Sequence, residues 1–587
     1  MRCNQWLVTR SDQPENRYGL FARDILVAEG LTGFGAVDLA AEPLPDLGAG
    51  DLALVTRCVL TRAQCRALLD SATAGAGVVV LQPQQGLAEE IGLRPEYRVL
   101  NPGYIQIRDG YPGSGAPIQA HLPVPRYAVP EAADGLDVMA EAFGADWAGA
   151  GWPAVVKARV GKGWIVLFLY DLAEAVARIR FGNPDLAGYA TNGRFSWPHT
   201  FDLFVDHLDP RVAHLPQADF HGQLLARALT DVAPQPLARL WYYPEAGQRT
   251  AGVFQSDGDM STPEQFESLA AALERRGGTA TFYLMEDTRL SEATVAALRA
   301  RGHTFAPHVN PRERDEELEF AMPEALADET ARFRARFGAC SPTLQCHCAP
   351  WAGYLSIVPA HIANGYRLLF GYIPWPVEFW GKYLCGSGRP MKFFDRDGTG
   401  YDCWQQPIMV MDDATLVEKL GGSPEVAMAE FDAAFDAAVQ TSHTATPILS
   451  HPVSFCTYSS RVIEHCLDRL HAEDAPIFNG DQWLAFQDRR AAVRLEQACA
   501  ADGTLTIHVS GLEGRLPLMV PLAAGGAPAV CVDGAPANAG VLRRLGQEYC
   551  VVQLDGDGRD IRVEIRSDGG EGASTEQVPQ ARAERGA

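Results

Sequence analysis

The sequence predicts an α/β protein of several domains: an α/β domain with a parallel sheet over residues 1–235, a barrel-like α/β series over 240–492, a small β-sandwich over 497–567, and a disordered tail over 568–587. Three observations carry this reading. The chain has 587 residues, and at about 150 residues per domain that length implies three or four cores. Hydrophobic residues make up 47% and charged residues 21%, an ordinary globular composition that excludes disorder or low complexity over most of the length. Strand-like and helix-like segments alternate as far as residue 491 and then give way to short strands separated by Gly, Pro and Asp.

In the first domain, WLVT at 6–9, a helix from Tyr18 to Gly30, DLALVT at 51–56, a helix over 61–72 and GVVVLQ at 77–82 form βαβ units. Residues 151–172 read as two antiparallel strands joined at Gly161-Lys162-Gly163, the second apolar throughout and therefore central. The second series begins with a strand at 251–255 and a helix at 263–276. Strands follow at 279–285, 303–310, 344–351, 366–373, around 391–411 and at 446–451, and helices at 291–301, 322–337, 355–364, 424–440, 459–472 and 480–491. Alternation repeated this often predicts a barrel-like or strongly curved parallel sheet, with its site at the C-terminal strand ends. The segments TLTIHVSGL, PLMVPL, AVCVDG, YCVVQLDG and DIRVEIRS predict the β-sandwich. The polar stretch from 568 to the end predicts disorder.

Fifty Lys and Arg against 73 Asp and Glu give a net charge of −23. A chain this acidic gains nothing by counterion release, so nucleic acid and anionic membrane surfaces are disfavoured as partners. No run of about 18 apolar residues and no signal-type N-terminal apolar core appears, which leads to the expectation of a soluble, cytoplasmic protein. Thirteen cysteines, an odd number scattered over a long chain, fit reduced thiols. Cys346-His347-Cys348 with Cys385 and Cys403 lacks the spacing of a zinc ribbon and reads as buried thiols.

Five groups with metal-ligand or acid–base chemistry fall at predicted strand ends: Asp257, Asp259, His308, His347 and His451. Carboxylate and imidazole together suit Zn²⁺ or a similar divalent ion, which polarises a carbonyl and acidifies bound water, while the remaining groups move protons. Asp259 has a second reading as the cap of the following helix, for which Thr262 and Pro263 are the stronger start signals. His303, at the start of its strand, reads as structural. Trp351, Trp375, Trp380 and Trp404 fall in loops near the same rim, where one or two would stack on a sugar ring. Asp395 and Asp397 read as a turn.

At these residues the chain resembles the polysaccharide deacetylases, carbohydrate esterase family 4, over about 240–490. Gln255-Ser256-Asp257-Gly258 echoes the family's Thr-Phe-Asp-Asp-Gly, which places Asp257 on the metal-binding Asp and Ser256 where the family keeps its base. Gly302 to His308 echoes the family's second motif and places His308 on its first metal His, with Arg312 where the second would stand. Leu449-Ser450-His451 matches Leu-x-His and places His451 on the general acid. The third motif is replaced by Gln345 to Trp351, and the run Gly386 to Met391 resembles a divergent branch fused behind an amidotransferase-like domain.

The resemblance implies a deformed (β/α) barrel and a metal-dependent hydrolase, most simply one that deacetylates an N- or O-acetylated saccharide. Its metal, most simply Zn, would be held by Asp257, His308 and, in place of the missing His, His347. Asp259 would then act as base and His451 as acid. Residues 1–235 resemble flavodoxin-like glutamine-amidotransferase domains. There the turn after GVVVLQ reads Pro83-Gln84-Gln85-Gly86, with no nucleophile, and Cys58 lacks the flanking glycines of a nucleophile elbow, so the domain reads as non-catalytic. Two other readings stay open: an inactive carbohydrate-binding or scaffold protein, and a hydrolase of another bond that uses Asp257 and Asp259 as a carboxylate pair.

Overall fold

The computed structural model describes residues 4–115, 117–130, 135–149, 151–190, 197–311, 317–375, 380–412, 416–417, 421–522 and 528–567. The tail at 568–587 and Arg312 lie outside the described residues.

The first sheet has nine strands. Five are parallel, in the order Gly35–Asp38, Gln5–Thr9, Leu52–Val55, Gly77–Leu81 and Gly163–Phe168. Their cores are apolar because helices cover both faces. The antiparallel pair read from the sequence is present as Trp152–Val160 against Gly163–Phe168. Beyond it the sheet continues antiparallel through Leu136–Phe143, Tyr104–Ile107 and Ile118–Gln119, an extension that the βαβ reading did not anticipate. The helix predicted at 61–72 runs Arg62–Ala74 and is capped by Thr61 with Gln64 in a capping box.

In the turn after Gly77–Leu81, Gln82 adopts a left-handed φ of 43°, a strained conformation for a residue with a side chain. The strained corner thus carries an amide side chain, which is no nucleophile. Cys58 is buried, and burial pushes its thiol up to about 11. Replacement of Cys58 by Ala is therefore expected to leave turnover unchanged, as measured by steady-state kinetics on folded protein.

The central part is built around the strand Gly252–Asp257. Thr281–Leu284 and Thr304–Pro307 lie in parallel on one side of it, and Thr446–Ser450 and Val410–Met411 on the other. A second sheet contains Thr343–Leu344, Leu368–Leu369, Gly400–Gln405 and Met391–Phe394. Main-chain hydrogen bonds join the two sheets. Ser341 N donates to Phe305 O at 2.8 Å and His347 N to Val309 O at 3.0 Å, while Ile408 N donates to Tyr372 O at 2.9 Å. Strand pairing is thus interrupted, but the parallel strands form a ring whose C-terminal ends share one rim, with Met391–Phe394 antiparallel at the edge of the second sheet.

Alternation fixes which side chains enter the ring. Phe254 points outward and packs with Phe266, Leu269 and Leu273 of the helix Pro263–Glu274, and Ser256, two residues on, shares that outward face. That helix is capped by Thr262 and Gln265 with Pro263 in its first turn, so Asp259 is not its cap. His303 is structural, as expected: its Nδ1 accepts from Ala280 N at 3.1 Å, and its Nε2 lies 3.0 Å from Glu274 Oε1.

The C-terminal strands form two antiparallel sheets, one of four strands and one of five. Their boundary departs from the sequence reading in two respects. The first strand begins at Arg494, and the four-stranded sheet recruits Arg239–Leu240, which pairs with Met519 and Leu518. No helix among the described residues is long and apolar enough to cross a membrane.

Candidate metal centre

Each site residue lies at, or within three residues of, the C-terminal end of a parallel strand, which is why residues up to 194 positions apart in sequence converge. Ser256 pairs with Ser450, so Asp257 and His451 leave the sheet at the same level. His308 N donates to Leu284 O and His347 N to Val309 O, which locks the two loops in register. Gly258 is required between the two aspartates, because a Cβ there would lie 2.8 Å from Tyr283 O and 2.9 Å from the Phe266 ring. Asp259 then turns back over the rim with a left-handed φ of 33°.

His308 Nε2 lies 3.4 Å from Asp259 Oδ1 and 3.6 Å from Asp257 Oδ2, and His347 Nδ1 lies 3.6 Å from the same Asp259 Oδ1. One ligand atom from each of Asp259, His308 and His347 falls within 4.8 Å of the other two. Donors about 2.0–2.1 Å from a tetrahedral ion stand roughly 3.3 Å apart, so the spacing suits a single divalent cation. The imidazole of His308 is pre-oriented for this, since its Nδ1–H donates to Gln345 O at 2.9 Å and leaves Nε2 as an acceptor. Asp257 Oδ1 and Asp259 Oδ1 are both buried and accept no hydrogen bond from the described residues. Two orphaned carboxylate oxygens in a buried rim are costly unless a cation or a reacting proton uses them.

The trio differs from the one expected from the sequence by one member: the geometry gathers Asp259 where the motif alignment pointed to Asp257. The cause is local. Reading the motif onto Ser256-Asp257 puts its first member on the outward face of the strand, whereas Asp257 and Asp259 both reach the rim.

His451 lies on the opposite side of the cluster. Its Nε2 is 3.9 Å from Asp257 Oδ2 and 3.8 Å from Asp259 Oδ2, and its Nδ1–H donates to Asp412 Oδ1 at 2.8 Å. Asp412 is fully committed. It also accepts from Ser450 Oγ and Ser459 Oγ, each at 2.7 Å, and lies 3.2 Å from the His451 amide. Sequence reasoning missed Asp412, although it directly follows the strand Val410–Met411 in the same way that Asp257 closes its own.

The electrostatics separate the two carboxylates. Burial drives Asp257 above the usual carboxylate range, with His308 and His451 pulling the other way. Burial also opposes ionisation of Asp259, but the close approach of the His308 and His347 imidazoles prevails and holds its carboxyl far below that range. His451 is desolvated too, yet Asp412 outweighs the penalty and holds the imidazole well above its ordinary value. His347 is half-buried, and the desolvation that would lower it is outweighed by Asp259, which raises it to about 10.

Of the four tryptophans considered, Trp351, Trp380 and Trp404 are buried, and their indole N–H groups donate to Tyr354 O, Met411 O and Asp488 Oδ1. Only Trp375 keeps partial exposure. Asp395 and Asp397 form the expected turn, closed by Thr399 N donating to Asp397 Oδ1. The thiols of Cys346, Cys385 and Cys403 are buried as expected, whereas Cys348 is half-buried, and none of the four forms a disulfide among the described residues.

No family model matches the chain, and no curated protein matches its sequence. Among solved structures, Agd3, described as a carbohydrate deacetylase, covers 96% of this chain and 99% of its own at 11% identity and a TM-score of 0.43. A structure from Mycobacterium smegmatis assigned as a polysaccharide deacetylase covers 42% of this chain and 92% of its own, at 14% identity and a TM-score of 0.33. The exo-beta-1,4-mannosidase Op5Man5 from Opitutaceae bacterium strain TAV5 covers 29% and 31%, at 15% identity and a TM-score of 0.23.

Proposed function

We propose that the protein is a metal-dependent hydrolase that removes acetyl groups from an N- or O-acetylated saccharide. The observation that carries this reading is the convergence of Asp259, His308 and His347 at cation-ligand spacing, flanked by a buried carboxylate with an orphaned oxygen and by a His–Asp pair. An inactive scaffold has no use for such a set, because unpaired buried carboxylates destabilise a fold that gains nothing from them. The motif resemblance at His308 and His451 supports a saccharide as substrate.

Asp259, His308 and His347 would hold the ion, with Zn²⁺ the simplest fit to one carboxylate and two imidazoles. When bound, such an ion polarises the acyl oxygen and lowers the pKa of water. The chain's own groups complete the chemistry. Asp257, whose pKa burial raises above the usual carboxylate range, takes a proton from the attacking water through its unpartnered Oδ1. The water oxygen bonds to the acyl carbon, and the bond from that carbon to the leaving nitrogen or oxygen then breaks. His451, protonated on both ring nitrogens, gives its Nε2 proton to the leaving atom, and Asp412, which accepts from Nδ1–H, stabilises that imidazolium. Acetate and the free amine or alcohol result. The roles of Asp257 and Asp259 are thus exchanged relative to the sequence reading, because environments that push two carboxyl pKa values apart assign the acid–base work to the raised one.

The test is acetate release from N- and O-acetylated oligosaccharides by purified protein, with the metal quantified. Chelation is expected to abolish acetate release, and stoichiometric divalent metal to restore it. Full activity in metal-free protein would sink the proposal.

A further inference from the structure

A second ionic cluster lies away from the rim, where the helix Phe21–Ala28, the segment 239–243, the loop 386–390 and the helix Gly480–Ala492 meet. Four guanidiniums are buried there, those of Arg180, Arg239, Arg389 and Arg490, against two carboxylates, Glu29 and Asp219. Glu29 is already used on both oxygens. Arg239 Nη2 lies 3.0 Å from Oε2, Tyr242 Oη donates to that same oxygen at 2.6 Å, and Arg389 Nη2 lies 3.1 Å from Oε1. Asp219 Oδ1 is 3.5 Å from Arg389 Nε and accepts from Ser387 Oγ at 2.6 Å. Arg490 donates to the neutral carbonyls of Trp241, Val27 and Ala28 at 2.7, 2.9 and 3.1 Å. Carbonyls satisfy its N–H groups without cancelling its charge.

The cluster therefore carries an excess of positive charge, and its donors are not exhausted. Apart from its ion-pair contacts with Glu29 and Asp219, Arg389 makes no directed hydrogen bond through Nε, Nη1 or Nη2 among the described residues, and neither do Arg180 Nε and Nη1, so these donors outnumber the one unpartnered carboxylate oxygen of the cluster, Asp219 Oδ2. Buried donors and uncompensated charge are both expensive, and one small anion relieves both, whereas water relieves only the first. A cavity adjoins the group, lined by Arg389, Arg490, Tyr242, Tyr243, Trp404 and Trp483, with a volume of about 20 Å³. A single water-sized sphere needs roughly 10–15 Å³, so the space admits a monatomic ion.

We propose that this cavity binds one halide ion, chloride, with Arg389 as the principal donor and Arg490 as the second charge. The ion would pin the first sheet's helix, the barrel loop and the sandwich strand Arg239–Leu240 together, independently of the metal centre.

Crystals of the full chain grown with bromide in place of chloride test this directly. The expected result is an anomalous peak in contact with the Arg389 guanidinium. Water there with no anomalous signal, or bromide confined to the surface, would overturn it. In solution, ligand linkage requires the urea midpoint to rise with chloride and to saturate. Sodium gluconate at matched ionic strength should give no such rise, and Arg389→Lys should flatten the chloride curve. Equal midpoints in the two salts for the wild-type chain would also overturn the proposal, and the crystal test holds even if the variant fails to fold.

Discussion

Asp259→Asn is expected to strip the metal and with it the activity. Asp259 is the only one of the five rim groups that meets both His308 and His347, through a single oxygen at 3.4 and 3.6 Å. The two imidazoles hold its carboxyl far below the usual carboxylate range, which favours the anion. An amide of the same shape keeps the volume but removes the negative charge that a dication requires. Lewis-acid stabilisation is worth several kcal/mol in the transition state, so turnover should fall by about 10³-fold or more. Elemental analysis should show metal well below one equivalent, and circular dichroism should show an unchanged fold. Asp257→Asn supplies the contrast: comparable loss of turnover with the metal retained. If instead Asp257→Asn loses the metal and Asp259→Asn keeps it, the ligand set is the one the sequence motif suggested.

His451→Ala should lower kcat by about 10²–10⁴-fold, the usual worth of a general acid, with metal content unchanged. Esters with activated leaving groups, which need no proton, should lose far less. Asp412→Asn should cost less, about 10–100-fold, as removal of an orienting partner does, and it should also move the pH profile. Asp412 raises the His451 pKa above its ordinary value, so the protonated, active form persists to higher pH and is lost as pH climbs through that raised value. Without the carboxylate the alkaline limb of kcat should shift to lower pH. An unshifted limb, or metal loss in His451→Ala, would remove His451 from the acid role.

Periodicity and motif spacing made much of this legible. The strand–helix alternation located Gly252–Asp257, Thr281–Leu284 and Thr446–Ser450 within a few residues, because parallel strands covered on both faces must be apolar runs. Since parallel strands end on one rim, Asp257, Asp259, His308, His347 and His451 could be named before any coordinates. Less was legible where pairing is non-local. The antiparallel strands between residues 104 and 143 lack a strong repeat, and Arg239–Leu240 is a strand only because Met519 and Leu518 lie beside it.

What the sequence alone determined was the set of groups at the rim and the order of the elements that deliver them, since both follow from local periodicity and from residue type. The tertiary structure alone decided the division of labour within that set. Whether Asp257 or Asp259 faces the two histidines depends on a left-handed turn at Asp259 and on the tight approach of Gly258 to Tyr283. That Asp412 supports His451 depends on two strands 38 residues apart lying side by side. Charge, burial and hydrogen bonding act through distance, and distances between residues far apart in the chain are set only when the chain has folded.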